Sequence, residues 1–293
     1  MKFIISTDAG SDLDLDYIGK NNVNLLSMKY YLNDGSGETE YAFGNGEDGL
    51  SIKEFYQKMR DGATTKTALI NEEEHKEHFN KIFENGGKHI LHIPLSSGLS
   101  GTAEFAQKAA AELNAANPDK KIIVVDFKGA SMGQGLFVDY LVTLRDNGKS
   151  LEEAANWAEN NKLRFCHYFT VDDLVYLKRG GRVSGFKAFV GTLLKIKPLL
   201  HVDDNGKLIP VGKSKGRKKA VADLTEKIAG LIDTNDQRVF ISHADSLEDA
   251  ELLKNAITEK LGIVDFKIGY IGPIIGAHSG PGTLALFFTG KNR

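Results

Sequence analysis

The stretch "KHILHIPLSSGLSGTAEFAQKAAAEL" (88–113) joins an apolar run, a turn rich in hydroxyl groups and an alanine-rich segment. The apolar run predicts a buried strand, and the alanine-rich segment predicts a helix. The same order recurs at 120–145, where "KKIIVVDF" precedes the glycine-rich "KGASMGQG" and another helical pattern. Strands that alternate with helices indicate βαβ units and a parallel sheet. The sequence therefore predicts an α/β fold.

Three turns rich in glycine or hydroxyl groups follow the predicted strands. They are "STDAGSD" (6–12), "SSGLSGT" (96–102) and "FKGASMGQG" (127–135). In open parallel sheets, ligands bind beyond the carboxyl ends of the strands. We therefore expect these turns to converge on a ligand site.

The serine-rich turn is compatible with three chemical roles. A hydrolase nucleophile elbow has the pattern G-x-S-x-G, which fits Gly98 and Ser100, but Thr102 replaces the second glycine. Hydroxyl groups before a helix would also bind phosphate, although the glycine spacing at 129–135 matches neither a Rossmann fingerprint nor a P-loop. Neutral hydroxyl and amide donors suit a carboxylate as well.

A structural role competes with all three. Ser100 or Thr102 would cap the helix that follows, with Glu104 completing a capping pattern. Such a cap explains one or two hydroxyl groups and leaves Ser96 and Ser97 without a role.

Composition narrows the function classes. The chain has 293 residues, which is enough for two domains, and a net charge of −2, which gives no general attraction to nucleic acid or acidic membranes. Its one cysteine, Cys166, permits no internal disulfide. We find no signal peptide and no apolar stretch that could span a membrane, so we expect a cytoplasmic protein without stable membrane insertion. Paired carboxylates at metal-ligand spacing are also missing, and we expect no metal or cofactor.

The second half of the chain predicts another α/β unit. We place the boundary near residue 155, with domains at 1–155 and 156–293. The sequence "DNG" (204–206) between apolar runs predicts a β-hairpin.

Several segments together resemble the DegV family. They are "TDAGSDL" (7–13), "KTALIN" (66–71), "PLSSGLSGT" (94–102), "DLVYLKRGGRVS" (173–184), "LLKIKPLLHVDDNGKL" (193–208) and "IGPIIGAHSGPGTLALFF" (271–288). The resemblance implies an N-terminal three-layer αβα domain with a parallel sheet and a C-terminal α/β domain with a mixed sheet. It also implies a non-enzymatic protein that binds a long-chain fatty acid between the domains. Its partner would be a fatty acid kinase, which phosphorylates the carboxylate for phospholipid synthesis.

Site residues follow from this resemblance position by position. Thr67 matches a carboxylate-binding hydroxyl, and Ser97, with Ser96 beside it, is the expected second donor. His278 matches a histidine near the carboxylate. Arg217 matches a basic residue after the central hairpin, and we expect it to contact a protein partner.

This chain departs from the family pattern at three positions that would otherwise carry hydroxyl groups. Ala68 follows Thr67, Ala9 stands in the first turn, and Phe127 follows Asp126. These departures affect the expected head-group contacts more than acyl binding. The basic segment that contains Arg182 is a second candidate contact for an acidic protein or for nucleotide phosphates.

An acyl chain needs an apolar slot. Phe186, Phe189 and Leu193 fall on one face of a predicted helix, and Ile274 belongs to a second apolar segment. Such faces also form ordinary protein cores. Burial of the fourteen methylene groups of a sixteen-carbon acid is worth roughly 11 kcal/mol at about 0.8 kcal/mol each, before the costs of association. The tail would therefore supply the affinity, and neutral donors would suffice to position the head group.

Two enzymatic alternatives remain open from the sequence. One is a serine hydrolase that uses Ser100 with His243 or His278. The other is a small-molecule kinase related to the dihydroxyacetone kinases.

Overall fold

The computed structural model describes residues 3–44, 50–182, 196–234 and 237–293. Its strands are β1 (Ile4–Asp8), β2 (Val23–Leu26), β3 (Met28–Asn33), β4 (Glu38–Phe43), β5 (Thr64–Thr67), β6 (His89–Ile93), β7 (Lys121–Val124), β8 (Phe165–Thr170), β9 (Ile196–Val202), β10 (Leu208–Lys215), β11 (Val239–His243), β12 (Phe266–Tyr270) and β13 (Leu284–Thr289). Its α-helices are α1 (Leu15–Lys20), α2 (Ile52–Arg60), α3 (Glu72–Glu84), α4 (Thr102–Ala116), α5 (Ser131–Asp146), α6 (Leu151–Asn161), α7 (Val175–Gly180), α8 (Arg217–Leu231), α9 (Leu247–Leu261) and α10 (Pro273–Ser279).

The first sheet is parallel, with strand order β2-β1-β6-β7. Side chains that alternate along its strands pack on opposite faces. Ile90 and Ile122 join the core formed with α3 and α4, whereas Leu91 joins the core formed with α5 and α6. This arrangement is the three-layer αβα unit that was expected.

The second sheet has six strands in the order β10-β9-β8-β13-β11-β12, and only β11 and β12 pair in parallel. Cys166 and Tyr168 of β8 face the core that contains residues of α8 and α9. Phe165 and Phe169 of the same strand face the core shared with the first unit. Because β8 is covered on both sides, all six of its residues are buried. The α/β class with a parallel sheet and a separate mixed sheet is therefore confirmed.

A third sheet was not expected. Its strands are antiparallel and follow the order β4-β3-β5. Tyr30 of β3 stacks on Tyr41 and meets Phe55 of α2 edge to face, with ring centroids 5.2 and 5.4 Å apart. This small sheet packs with α2 and α10 around a separate apolar cluster.

The expected hairpin is formed by β9 and β10, with its turn at 203–207. The proposed boundary at residue 155 falls inside α6, which ends at Asn161 shortly before β8 begins. The division into domains at this point stays a prediction. In the part of the chain that the structure describes, no helix is long and apolar enough to cross a membrane.

Candidate functional site

A deep cavity lies where the three sheets meet. It encloses about 850 Å³ of space outside the protein atoms, including its open end. The described residues that line it are Met28, Thr67, Ala68, Leu69, Leu95, Leu99, Ser100, Ala130, Ser131, His167, Phe169, Leu177, Arg182, Val202, Leu208, Ile271, Ile274, Ile275, His278, Ser279, Thr283, Ala285 and Phe287.

Most of this lining is apolar. Phe169, Ala285 and Phe287 come from the buried face of β8 and β13, where Ala285 pairs with Phe169 and Phe287 with His167. Ile274 of α10 also lines the cavity. An apolar ligand would be removed from water along these walls, which is the main source of affinity for such a molecule.

The polar side chains Thr67 and His278 are held together in the cavity. The hydroxyl oxygen of Thr67 at the end of β5 lies 2.7 Å from Nε2 of His278 in α10. Burial and, to a smaller extent, the nearby Arg182 guanidinium lower the pKa of His278 to about 4. The imidazole is therefore neutral at pH 7. Depending on its tautomer, Nε2 donates a hydrogen bond to the Thr67 hydroxyl oxygen or accepts one from it.

Two backbone contacts fix α10 against the small sheet and α2. The hydroxyl of Tyr56 donates to the carbonyl of Ile271 at 2.7 Å, and the hydroxyl of Thr65 donates to the carbonyl of Ala277 at 3.0 Å. Both carbonyls belong to the segment that carries His278. The position of its imidazole is thus determined by the packing of the small sheet, which explains why strand-end turns alone do not define the site.

Ser96 and Ser97, the expected second donors to the carboxylate, are not among the described residues that line the cavity. Ser96 is buried, and its hydroxyl donates to the carbonyl of Gly206 at 3.1 Å while accepting from the amide of Gly98 at 3.0 Å. Ser97 is exposed, and its hydroxyl accepts from Nζ of Lys128 at 2.5 Å. Neither serine is among the described lining residues of the cavity. The structure brings Thr67 and His278 together but not these two serines, whose role in head-group binding stays a prediction.

Ser100 is the serine of this turn that lines the cavity. Its hydroxyl lies 2.9 Å from that of Thr102 and accepts from the amide of Thr102 at 3.3 Å. The helix α4 begins after Gly101 without a side-chain cap at that residue. The hydroxyl of Thr102 instead accepts from the amide of Ile70 at 3.2 Å, which ties the turn to the loop after Thr67.

The residues that depart from the family pattern occupy distinct places. Ala68 lines the cavity next to Thr67, whereas Ala9 is buried in the apolar cluster around the small sheet. Phe127 is fully buried and stacks on Phe137 with ring centroids 4.3 Å apart. Phe127 therefore fills a core position, and a hydroxyl group there would lie in apolar surroundings.

Arg182 and Arg217, the two arginines expected to contact a partner, differ in the groups that they contact within the chain. Arg182 lines the cavity, is exposed, and donates to the carbonyls of Leu99 and Gly180 at 3.2 and 2.5 Å. Arg217 is paired with Asp172 and Asp249, at 2.6 and 3.2 Å. The expected tunnel residues Phe186, Phe189 and Leu193 lie outside the described residues, whereas Ile274 lines the cavity.

Some lining residues were missed by sequence reasoning. Ser131 lines the cavity and donates to Asp12 at 2.5 Å, and Asp12 also accepts from the amide of Gly272 at 2.9 Å. Burial raises the pKa of Asp12 to about 7. His167 could have been found from its alternation with Phe165 and Phe169 along β8. Among the residues described, no group of three or more potential metal ligands is suitably placed.

Comparison with known proteins agrees with this fold. Residues 2–291 match the family described as "Uncharacterised protein, DegV family". A DegV domain-containing protein of Clostridium perfringens is 41% identical over 293 residues, covering 100% of this chain and 99% of that protein. The chain belongs to the DegV family. A second DegV domain-containing protein, from Lactococcus lactis, is 38% identical and covers 98% of this chain and 97% of its own length.

Solved DegV-family structures share the whole fold. A DegV lipid-binding protein of Thermotoga maritima is 30% identical, with a TM-score of 0.86 and 100% of both chains covered. A second protein of that organism, described as revealing a fatty-acid-binding function, is 30% identical with a TM-score of 0.83 and 99% coverage of both chains. A fatty-acid-binding DegV protein of Thermus thermophilus is 28% identical, with a TM-score of 0.84, 99% of this chain covered and 100% of its own.

Proposed function

We propose that this protein binds a long-chain fatty acid in the cavity between its sheets. The observation that carries the proposal is the cavity itself, which combines a mostly apolar lining with the Thr67–His278 pair. The fatty-acid-binding structures of similar fold support the same ligand class. A binding protein rather than an enzyme is what the family and these neighbours favour.

In this proposal the carboxylate lies at Thr67 and His278. With its proton on Nε2, the neutral imidazole donates to the Thr67 oxygen, and the Thr67 hydroxyl then donates to one carboxylate oxygen. Hydrogen bonds to the ionised form keep the acid charged. The apolar walls that include Ile274, Phe169 and Phe287 would cover the chain. A ligand of this kind needs no metal or other cofactor.

The geometry favours binding over hydrolysis. Among the described residues, no carboxylate is hydrogen-bonded to His278, so the third group of a catalytic triad is lacking there. Ser100, the candidate nucleophile, hydrogen-bonds to Thr102 rather than to a histidine. A kinase of the dihydroxyacetone type would need acidic ligands for a metal–nucleotide complex, and the described residues offer no such group.

We propose further that the bound carboxylate is presented to a fatty acid kinase, whose acyl phosphate product enters phospholipid synthesis. Exposed cations next to the cavity support a partner with acidic groups or a bound nucleotide. Lys178 and Arg179 are exposed on α7, and Arg182 follows at the cavity itself. Opposite charges at such a surface accelerate and orient association.

Mass spectrometry of the purified protein tests the primary proposal. Native spectra, followed by spectra of the organic extract, should show one fatty acid per chain. A protein that is empty and also fails to take up added palmitate or oleate would contradict it. Turnover of nitrophenyl esters, abolished in Ser100→Ala, would favour the hydrolase instead.

A further inference from the structure

Helix α10 presents a defined stripe of side chains to the cavity. Ile274, Ile275, His278 and Ser279 all line it. Their spacing of one, four and five residues places them on one face of a helix. The two isoleucines form apolar wall, and His278 pairs with Thr67. Ser279 is a polar residue on this face whose role is still unexplained.

The hydroxyl group of Ser279 is buried without a partner. The residue is 5% exposed, and its Oγ has no hydrogen bond to any described residue. Its backbone carbonyl, in contrast, accepts from the hydroxyl of Thr283 at 2.9 Å. The backbone of Ser279 is therefore held by a hydrogen bond, whereas its side-chain hydroxyl has no hydrogen-bond partner among the described residues. Because buried polar groups are normally hydrogen-bonded, this hydroxyl calls for a ligand.

We propose that the Ser279 hydroxyl donates a hydrogen bond to the carboxylate of the bound fatty acid, as a further donor beside the Thr67–His278 pair. This inference rests on the proposed function. A carboxylate has about four acceptor positions, so Thr67 and His278 leave capacity for another donor. Ser279 adjoins His278 in the chain and lines the same cavity. A serine hydroxyl also needs only a rotation about χ1 to turn towards a ligand.

The test compares Ser279→Ala with Ser11→Ala. Ser11 is a matched control because it is fully buried, its Oγ has no described partner, and it does not line the cavity. We expect Ser279→Ala to weaken palmitate binding by about 10-fold or more, as loss of a hydrogen bond to a charged group does. Binding of palmitate methyl ester should change less than about twofold, since the ester carries no charge.

The ratio of acid to ester affinity separates a ligand contact from a structural role. Ser11→Ala should leave this ratio at the wild-type value. Ser279→Cys, which keeps the size but donates weakly, should give an intermediate ratio and secures the test if the alanine variant folds poorly. A wild-type ratio in both Ser279 variants would overturn the inference while leaving fatty acid binding intact. A wild-type protein that binds no fatty acid would overturn the proposed function as well.

Discussion

The hydroxyl of Ser96, in the turn after β6, donates to the carbonyl of Gly206 in the turn of the β9–β10 hairpin, 3.1 Å away. These residues are 110 positions apart, and the bond joins the parallel sheet to the mixed sheet. Gly206 has φ of +74°, and a Cβ there would overlap the Ser96 oxygen. One hydroxyl of the serine-rich turn is therefore used to hold the two units together.

This contact predicts a loss of stability in two variants. Ser96→Ala should lower the free energy of unfolding by about 1–3 kcal/mol, because the hairpin carbonyl loses a buried partner. Gly206→Ala should lower the free energy of unfolding further. The added Cβ would overlap the Ser96 oxygen, and alanine would have to adopt the left-handed conformation that glycine takes here. Urea unfolding measures both. Gly212→Ala, whose Cβ would make only ordinary contacts at 3.6 Å, is the control. Equal stability of all three variants would contradict the assignment.

Thr67 predicts an effect on ligand affinity rather than on stability. Thr67→Val keeps the side-chain volume but removes the hydroxyl that lies 2.7 Å from His278. We expect fatty acid affinity to fall by about 10-fold or more, the typical loss for a hydrogen bond to a charged group. Isothermal titration with palmitate measures this.

The matched control for this variant is Thr64→Val, at an exposed position of the same strand. That variant should leave fatty acid affinity at the wild-type value. Adding Ser97→Ala to Thr67→Val tests the remaining prediction for the serine turn. Unchanged affinity in the double variant would remove both residues from the head-group site.

Buried histidines predict a loss of stability in mild acid. Burial lowers the pKa of His75, His78 and His278 to about 4. Their unfolded pKa is about 6.5, so the unfolded chain binds more protons between pH 6.5 and 4. Each such proton lowers the free energy of unfolding by about 1.4 kcal/mol per pH unit as the pH falls.

Two buried carboxyl groups act in the opposite direction. Burial raises the pKa of Asp8 to about 6 and that of Asp12 to about 7, so they favour the folded state as the pH falls through these values. The pKa values of His92 and His167 are also lowered by burial, which makes the histidines the larger group. We expect net destabilisation from pH 6.5 to 4, measured by urea unfolding at several pH values. His78→Asn should reduce the slope, and a slope equal to that of the wild type would argue against a neutral, half-buried His78.

We expect that replacing Arg293 destabilises the junction of the two units. Its guanidinium group donates to the backbone carbonyls of Phe127, Lys128, Lys162, Phe165 and Asp203, at distances from 2.6 to 3.4 Å. A lysine cannot reproduce this planar set of donors. Arg293→Lys should therefore lower the free energy of unfolding by about 3 kcal/mol. Lys291→Ala, at an exposed residue, is the control, and comparable losses in both variants would refute the contact.

The sequence predicts those parts of the fold in which local pattern and packing agree. The β6–turn–α4 unit and the "DNG" hairpin both follow from periodicity and turn residues. The sheet of β3, β4 and β5 does not, because "ETEYAF" and "TTKT" are mostly exposed or half-buried and lack an apolar alternation. That sheet positions Thr67 and α10. The place of both residues of the Thr67–His278 pair therefore depends on a sheet that the local sequence pattern does not predict.

The roles of individual hydroxyl groups in the serine-rich turn could not be predicted from the sequence, for a different reason. A serine in a turn satisfies whichever backbone group lies nearest, and for Ser96 that group belongs to a hairpin distant in sequence. No spacing rule connects the two positions. Thr67 and His278, in contrast, were named from the resemblance and lie together in the structure, although nothing in the sequence places β5 beside α10.

Gly180 provides a further prediction for the same site. It is the last residue of α7, and a Cβ at this position would overlap Nδ1 of His278. Because Nε2 of that ring is held by Thr67, Gly180→Ala should displace the imidazole and break the Thr67–His278 hydrogen bond. We expect fatty acid affinity to fall as far as in Thr67→Val, with no further loss when the two substitutions are combined. Gly230→Ala, in α8 with open space around its Cβ, should leave affinity unchanged. Additive losses in the double variant would show that Gly180 acts on the ligand by a route that does not pass through His278.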